Sequence, residues 1–153
     1  MLGNTYEGQN CSIARALESV GERWTLLIVR ELLRGPQRFS DLAAALDISK
    51  NMLATRLDKL VGLKIVAKSQ YEAARDWNEY SLTRKGHDLF PVVNALMAWG
   101  DRYEAPGGPP VVLRHACGHP AGHEVVCEHC REPLSLKSVI ELPGPGAAEA
   151  PAT

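Results

Sequence analysis

Apolar residues recur at helical spacing over most of the first two thirds of the chain. Ile13, Ala14, Leu17 and Val20 return every three or four positions, which predicts a helix over 11–20, and Gly21 punctuates it. The next run, ERWTLLIVRELLR at 22–34, is helical in period and apolar nearly all round. It is therefore expected to be buried, with Trp24, Leu27, Ile28, Leu32 and Leu33 at the centre of the core. Gly35-Pro36 stops it with the expected C-terminal chemistry. Leu42 and Leu46 then stripe a short helix, with Ser40 as the expected N-cap and Asp41 at the positive end of the dipole. Asp47-Ile48-Ser49 breaks that helix, and Ser49 caps another in which Leu53, Leu57 and Leu60 share one face. At about 100° per residue the opposite face carries Asn51, Thr55 and Lys59, with Lys50 and Arg56 on the flanks.

Two short helices joined by a tight turn, the second basic on its outer face, make a helix-turn-helix that can offer donors to the major groove of DNA. A basic outer face also suits an ordinary solvated helix, so the neighbouring segments matter. After Leu60 the period changes. Residues 65–71 favour strand, and 77–82 form a second, alternating run. The polar connection 72–76 places Arg75 near the tip of a hairpin. Two antiparallel strands after a helix-turn-helix make a wing, from which Arg75 would reach a phosphate or the minor groove. The plainer reading of Arg75 is an exposed hairpin arginine.

Thr83 to Gly86 opens a long helical segment reaching Tyr103, with Leu89, Val93, Leu96 and Tyr103 on one side and Val92 and Trp99 widening it. Pro91 lies inside this pattern and predicts a kink or restart. So much apolar surface outside a small helical core needs a cover. A twofold partner supplies one and suits a palindromic operator; folding back on its own core is the alternative.

Charge sharpens the reading. The 153-residue chain carries a formal net charge of only −1, yet Lys50, Arg56, Lys59, Lys64 and Lys68 face Asp58 alone between 49 and 68. No apolar run is long enough to cross a bilayer and no secretory leader is visible, so a cytoplasmic location with reduced thiols is expected. Cys11 begins a helix with Arg15 one turn on, which suits either a packed small residue or a reactive thiolate that senses oxidants.

Beyond a Pro/Gly linker at 105–110 lies the sequence HACGHPAGHEVVCEHC. Cys127 and Cys130 form a C-x-x-C pair, and His115-x-Cys117 offers two more donors, which predicts a structural zinc site of Cys3His type flanked by short strands. His119, His123 and His129 compete with His115 for the fourth place. A redox dithiol is a further alternative. The H-x-E spacing of a zinc deaminase is absent, and no nucleophile–base pair or phosphate loop is present, so an enzyme is not expected.

The run from Cys11 to Leu60, with its G-x-R-W-T, R-F-x-D-L and S-x-N-M-L motifs, and the later L-T-x-K-G resemble the HxlR-type transcriptional regulators, bacterial winged-helix proteins related to the MarR group. The resemblance covers 11–103 and implies a homodimer that binds promoter DNA through the second helix of the motif. Carried over by position, Ser49, Lys50, Asn51, Thr55, Arg56 and Lys59 become the recognition-helix contacts; Ser40, at the start of the first helix, and Arg75, at the wing, are further DNA-binding candidates. Arg56 and Asn51 would read base edges, and Lys50 and Lys59 would meet phosphates. In some members the cysteine at the place of Cys11 senses oxidants or electrophiles. The chain departs from the family at Lys64, where a glycine often ends the recognition helix, and in its AARDW wing, often proline-rich elsewhere.

The expected molecule is thus mainly α with a small β-hairpin wing and a zinc-ribbon-like β appendage. Its expected parts are an arm (1–10), a winged-helix DNA-binding and dimerisation domain (11–104), a linker (105–110), a zinc module (111–142) and a disordered tail (143–153). The expected function is regulation of double-stranded promoter DNA by a homodimer, open to a small-molecule or oxidant effector. The rival is a zinc-dependent protein or RNA interaction module whose winged helix serves mainly to dimerise.

Overall fold

The computed structural model describes Tyr6, residues 8–72 and residues 75–147, with backbone alone at 71–72 and 75–77. The chain divides into two compact units, Met1–Val93 and Asn94–Thr153.

In the first unit, α1 (Ser12–Val20) and α2 (Thr25–Leu32) are joined by a turn. The turn takes up Glu22 to Trp24, expected to be helical: Trp24 has φ 77° and precedes α2 as its N-cap. α2 is not buried all round. Ile28, Val29 and Leu32 are sealed, but Leu27 is 39% exposed, against the expectation that it sits in the centre of the core. Leu27 shares its outward face with Arg30 and Arg34, three and seven residues on. Between these arginines a carboxylate is buried: Glu31 accepts from Arg30 Nη2 and from Arg34 Nη1, each at 2.7 Å. Removing either arginine would leave that charge under-compensated.

A two-residue strand, β1 (Gln37–Arg38), leads directly into α3 (Phe39–Leu46), and α4 (Lys50–Gly62) follows. Arg38, not Ser40, is the N-cap of α3, and the Ser40 hydroxyl donates to Asp41 at 3.2 Å. The reason lies in the sheet. Gln37 and Arg38 pair with Tyr80 and Glu79, so the chain leaves a strand and enters the helix already at Phe39. At the turn between the helices Asp47 adopts φ 48°, and Ser49 Oγ accepts from Met52 N at 3.4 Å, capping α4 as expected.

Leu53, Leu57 and Leu60 are at most 1% exposed and seat α4 against Leu42, Ile28 and Leu32 in the core. Each such burial contributes about 1.5–3 kcal/mol before entropy is counted. α4 is closed off just beyond its C-cap by Lys64, which takes the left-handed φ of 58° while Ile65 N donates to Leu60 O at 2.9 Å.

β2 (Val66–Glu72) and β3 (Arg75–Leu82) form the hairpin, and the antiparallel sheet has the order β1-β3-β2. Val66 pairs with Leu82, and Glu72 with Arg75. After β3, Thr83 ties the end of the sheet to the exit of α4. Its hydroxyl donates to Lys64 O at 2.7 Å and accepts from Gly86 N at 3.2 Å. The long segment after it is split into α5 (Arg84–His87) and α6 (Phe90–Tyr103). Pro91 is the second residue of α6, where its missing N–H costs little, so the expected interruption takes the form of a restart. Leu89 and Val93 pack on the core of the first unit, while no residue of α6 is buried.

The second unit contains no named strand among its described residues. Val111 to Arg114 does not form the expected strand. Two isolated bridges, Arg114 with Pro120 and Val126 with Pro133, stand in place of a ribbon. Two prolines at these sites remove two ladder donors, which is reason enough for the pairing to stop at single bridges. Residues 148–153 of the expected disordered tail lie outside the described residues.

Gly86 sets how closely α5 approaches the end of β3 and the Ile65 backbone. A Cβ there would press into the carbonyl of Ile65 and lie 2.9 Å from Leu82 Cδ2. Gly86→Ala, ordinarily favourable in a helix, is expected to lower the unfolding free energy by about 1–3 kcal/mol in a denaturant titration. An unchanged midpoint would mean that α5 is free to move away.

Candidate nucleic-acid interface

α4 has a buried face of leucines, and part of its remaining surface faces outward. Lys50, Asn51, Met52, Thr55, Asp58 and Gly62 are exposed on it. The first four occupy the amino-terminal turn and a half, where the free N–H groups and the positive end of the dipole also lie. Ser49 spends its hydroxyl on the cap. The Thr55 hydroxyl donates back to Asn51 O at 2.9 Å. Lys50 and Asn51 are therefore the long polar side chains left at the amino end. Met52, 39% exposed there, is an apolar surface that the helical wheel did not single out.

The two cations expected on the outer face are turned elsewhere. Arg56 Nη1 is ion-paired with Glu22 Oε2, and Lys59 Nζ lies 3.3 Å from Glu22 Oε1. The Arg56 side chain is only 19% exposed, and its Nε is buried with no hydrogen-bond partner among the described residues. Glu22 is the functional neighbour that sequence reasoning missed. It lies 34 residues upstream of Arg56, beyond the reach of any helical-spacing rule. Lys68, at the wing, has its ammonium 6.0 Å from the centre of the Tyr80 ring. Lys64 is exposed at the far end of α4, and Ser40 at the start of α3. Arg75 opens β3, but its side chain lies outside the described residues.

Cys11 is half-buried at the N-cap of α1 and makes no side-chain cap bond. Arg15, one turn on, donates to Asn10 Oδ1 at 2.5 Å.

In the second unit the expected metal ligands occur as two separate turns. In one, Gly118 N donates to His115 O at 2.9 Å, Cys117 Sγ is 3.8 Å from His119 Nδ1, and Gly118 has φ 89°. In the other, Arg131 N donates to Cys127 O at 2.9 Å and Arg131 has φ 65°. The N–H groups of Cys130 and His129, with the Cys130 side chain, hold the Cys127 thiol below its ordinary value. Each turn thus places a left-handed residue directly after a cysteine. The pair within each turn is close, but among the described residues no three His, Cys, Asp or Glu side chains are gathered for one ion. His115 Nδ1 accepts from Cys117 N at 3.2 Å, while His119 is the histidine nearest the thiol.

No helix among the described residues is long and apolar enough to cross a membrane. The model of the HxlR-like helix-turn-helix family matches residues 19–107. The uncharacterized HTH-type transcriptional regulator MT3179 of Mycobacterium tuberculosis is 45% identical over 147 residues, covering 95% of this chain and 92% of the relative. Among solved structures, the transcription factor candidate PA1607 superposes with a TM-score of 0.80 at 32% identity, over 90% of this chain and 97% of that one. The reduced form of the regulator YodB from Bacillus subtilis matches 65% of this chain and 99% of its own, with a TM-score of 0.54 at 34% identity; YodB is also solved with quinone bound. The first two matches extend into the cysteine-bearing tail, whereas YodB matches a shorter part of the chain. A seated second helix, a three-stranded antiparallel sheet beside it and these relatives agree: the chain belongs to the HxlR-like helix-turn-helix family, a family of DNA-binding transcriptional regulators rather than enzymes.

Proposed function

We propose that this regulator works as a homodimer that reads promoter duplex with the amino-terminal turn and a half of α4. One observation carries the reading: three sealed leucines seat α4 while Lys50, Asn51, Met52 and Thr55 stand exposed at its amino end. Asn51 can bond bidentately to an adenine edge, Met52 and the Thr55 methyl suit a thymine methyl, and Lys50 suits a phosphate. Ser49, Ser40 and Arg75 are assigned to the flanking backbone. Arg56 loses the base-reading role that the helical wheel gives it, because it is engaged by Glu22.

Apolar exposure supports the dimer. Ile13 on α1 is 71% exposed, and Leu96, Trp99 and Tyr103 on α6 are 54%, 54% and 62% exposed. Surfaces of this kind on a small protein call for a partner. A second copy covers the same faces on both chains at once and supplies the second half-site reader.

The tail is assigned a structural zinc held by Cys117, Cys127, Cys130 and one histidine, His115 or His119. The donor set is that of a tetrahedral site, and an ion that drew the two turns together would cross-link a segment with little core of its own. Most of its large apolar residues are exposed, including Leu136 at 96% and Ile140 at 83%. The rival reading, a zinc-dependent interaction module, is not favoured by relatives named as regulators. Cys11 is the thiol through which a quinone or oxidant would act, by analogy with the quinone-bound YodB structure.

Selection of bound sequences from random duplex is expected to yield a palindromic site. On that site Asn51→Ala should cost about 1–3 kcal/mol and relax one base position per half-site. An unchanged preference removes Asn51 from the interface. The same titration after quinone treatment, with Cys11→Ser as control, reads the effector: equal behaviour of the two proteins excludes this thiol. Trp99→Asp is expected to give a monomer in sedimentation and to weaken operator binding by about 100-fold; a variant that stays dimeric places the interface elsewhere. Metal analysis of protein prepared without chelator should find about one zinc per chain, lost in a Cys127→Ser, Cys130→Ser double variant. Absence of zinc in the unsubstituted chain overturns that site.

A further inference from the structure

Non-specific affinity for DNA comes from cations that displace counterions from phosphates, and each such contact adds to it whatever the sequence. A recognition helix rich in cations therefore binds well and discriminates badly. α4 carries three cations, Lys50, Arg56 and Lys59. Two of them converge on one carboxylate from outside the helix-turn-helix.

That carboxylate is held in place by the backbone. Glu22 follows Gly21, at which a Cβ would strike the Leu17 carbonyl, and precedes Trp24 at φ 77°. Thr25 N donates to Glu22 O at 3.1 Å, closing the turn. From this turn one oxygen of Glu22 takes Arg56 Nη1 and the other faces Lys59 Nζ. The two arms differ in strength. Lys59 is 35% exposed and its pairing is screened, whereas Arg56 is 19% exposed with its Nε out of solvent. The guanidinium cannot reach a phosphate without leaving this seat.

We propose that Glu22 is a specificity-determining residue: by engaging Arg56 and Lys59 it withdraws two cations of the recognition helix from the phosphate backbone. Binding then depends more on the base-reading groups at the amino end of α4 and less on sequence-independent attraction. The inference rests on α4 being the DNA-reading helix. It adds that the chain lowers its affinity for arbitrary DNA with an internal counter-ion.

The test is a salt titration of binding to the selected operator and to a random-sequence duplex of equal length. Glu22→Gln keeps the size and a hydrogen-bond acceptor for Arg56 but removes the charge. It is expected to steepen the dependence of log K on log salt by up to about 0.9 for each cation set free. Affinity for the random duplex should rise more than affinity for the operator, so the ratio between them falls. Arg56→Ala in the unsubstituted background should leave the slope unchanged, and in the Glu22→Gln background it should remove about half of the added slope. Circular dichroism and thermal unfolding check that the variants are folded. If Glu22→Gln fails to fold, Glu22→Ala, which also removes the charge, replaces it, with the same direction expected. A slope that flattens by about 0.9 in Arg56→Ala alone would show that Arg56 already sits on a phosphate, and overturns the proposal. So does a folded Glu22 variant with slope and ratio unchanged. An unsubstituted protein that prefers no duplex over another refutes the function reading instead, and the random-duplex slopes still report on Glu22.

Discussion

The sealing of Leu53, Leu57 and Leu60 against the core is the constraint on which the rest of the molecule depends. A helix of this length is marginal by itself and is stable here because one face is dry. Once that face is fixed, the other has no choice of direction, and Lys50, Asn51, Met52 and Thr55 stand exposed at its amino end. The surrounding elements serve the same seat. Thr83 and Lys85 bond to carbonyls at the exit of α4, and Ile48 closes the turn at its entry.

The parts of this arrangement that were legible in the sequence were those with a local period. The leucine spacing of α4, the Ser49 cap, the two strands and the restart near Pro91 each follow from neighbours within a few residues. What could not be read came from residues far apart in the chain. β1 is two residues long and exists only because Tyr80 and Glu79 pair with it, and that pairing moved the start of α3 away from the Ser40 cap. Leu27 fits an all-apolar helix by composition, yet shares an outward face with Arg30 and Arg34. Arg56 looks like a surface cation on a helical wheel and proves to be enclosed, because its counter-ion arrives from another element.

The tail and the winged part differ in what holds them. The first unit has a contiguous core that includes Ile28, Leu42 and Leu57, so its order follows from buried area. The second unit exposes most of its large apolar side chains and is shaped by short hydrogen-bonded turns around its cysteines. Relatives that match nearly the whole chain extend into this tail, while YodB, matched over 99% of its own length, spans 65% of this chain.

Lys64 has a backbone angle usually left to glycine, which costs an ordinary residue about 1 kcal/mol. It is exposed, however, two residues beyond the carbonyl end of α4, where a positive charge recovers about 0.3–1 kcal/mol from the dipole. The second offsets only part of the first, so lysine at this angle is less costly than an uncharged residue would be. The lysine also places a positive charge on the surface just beyond the trailing end of α4.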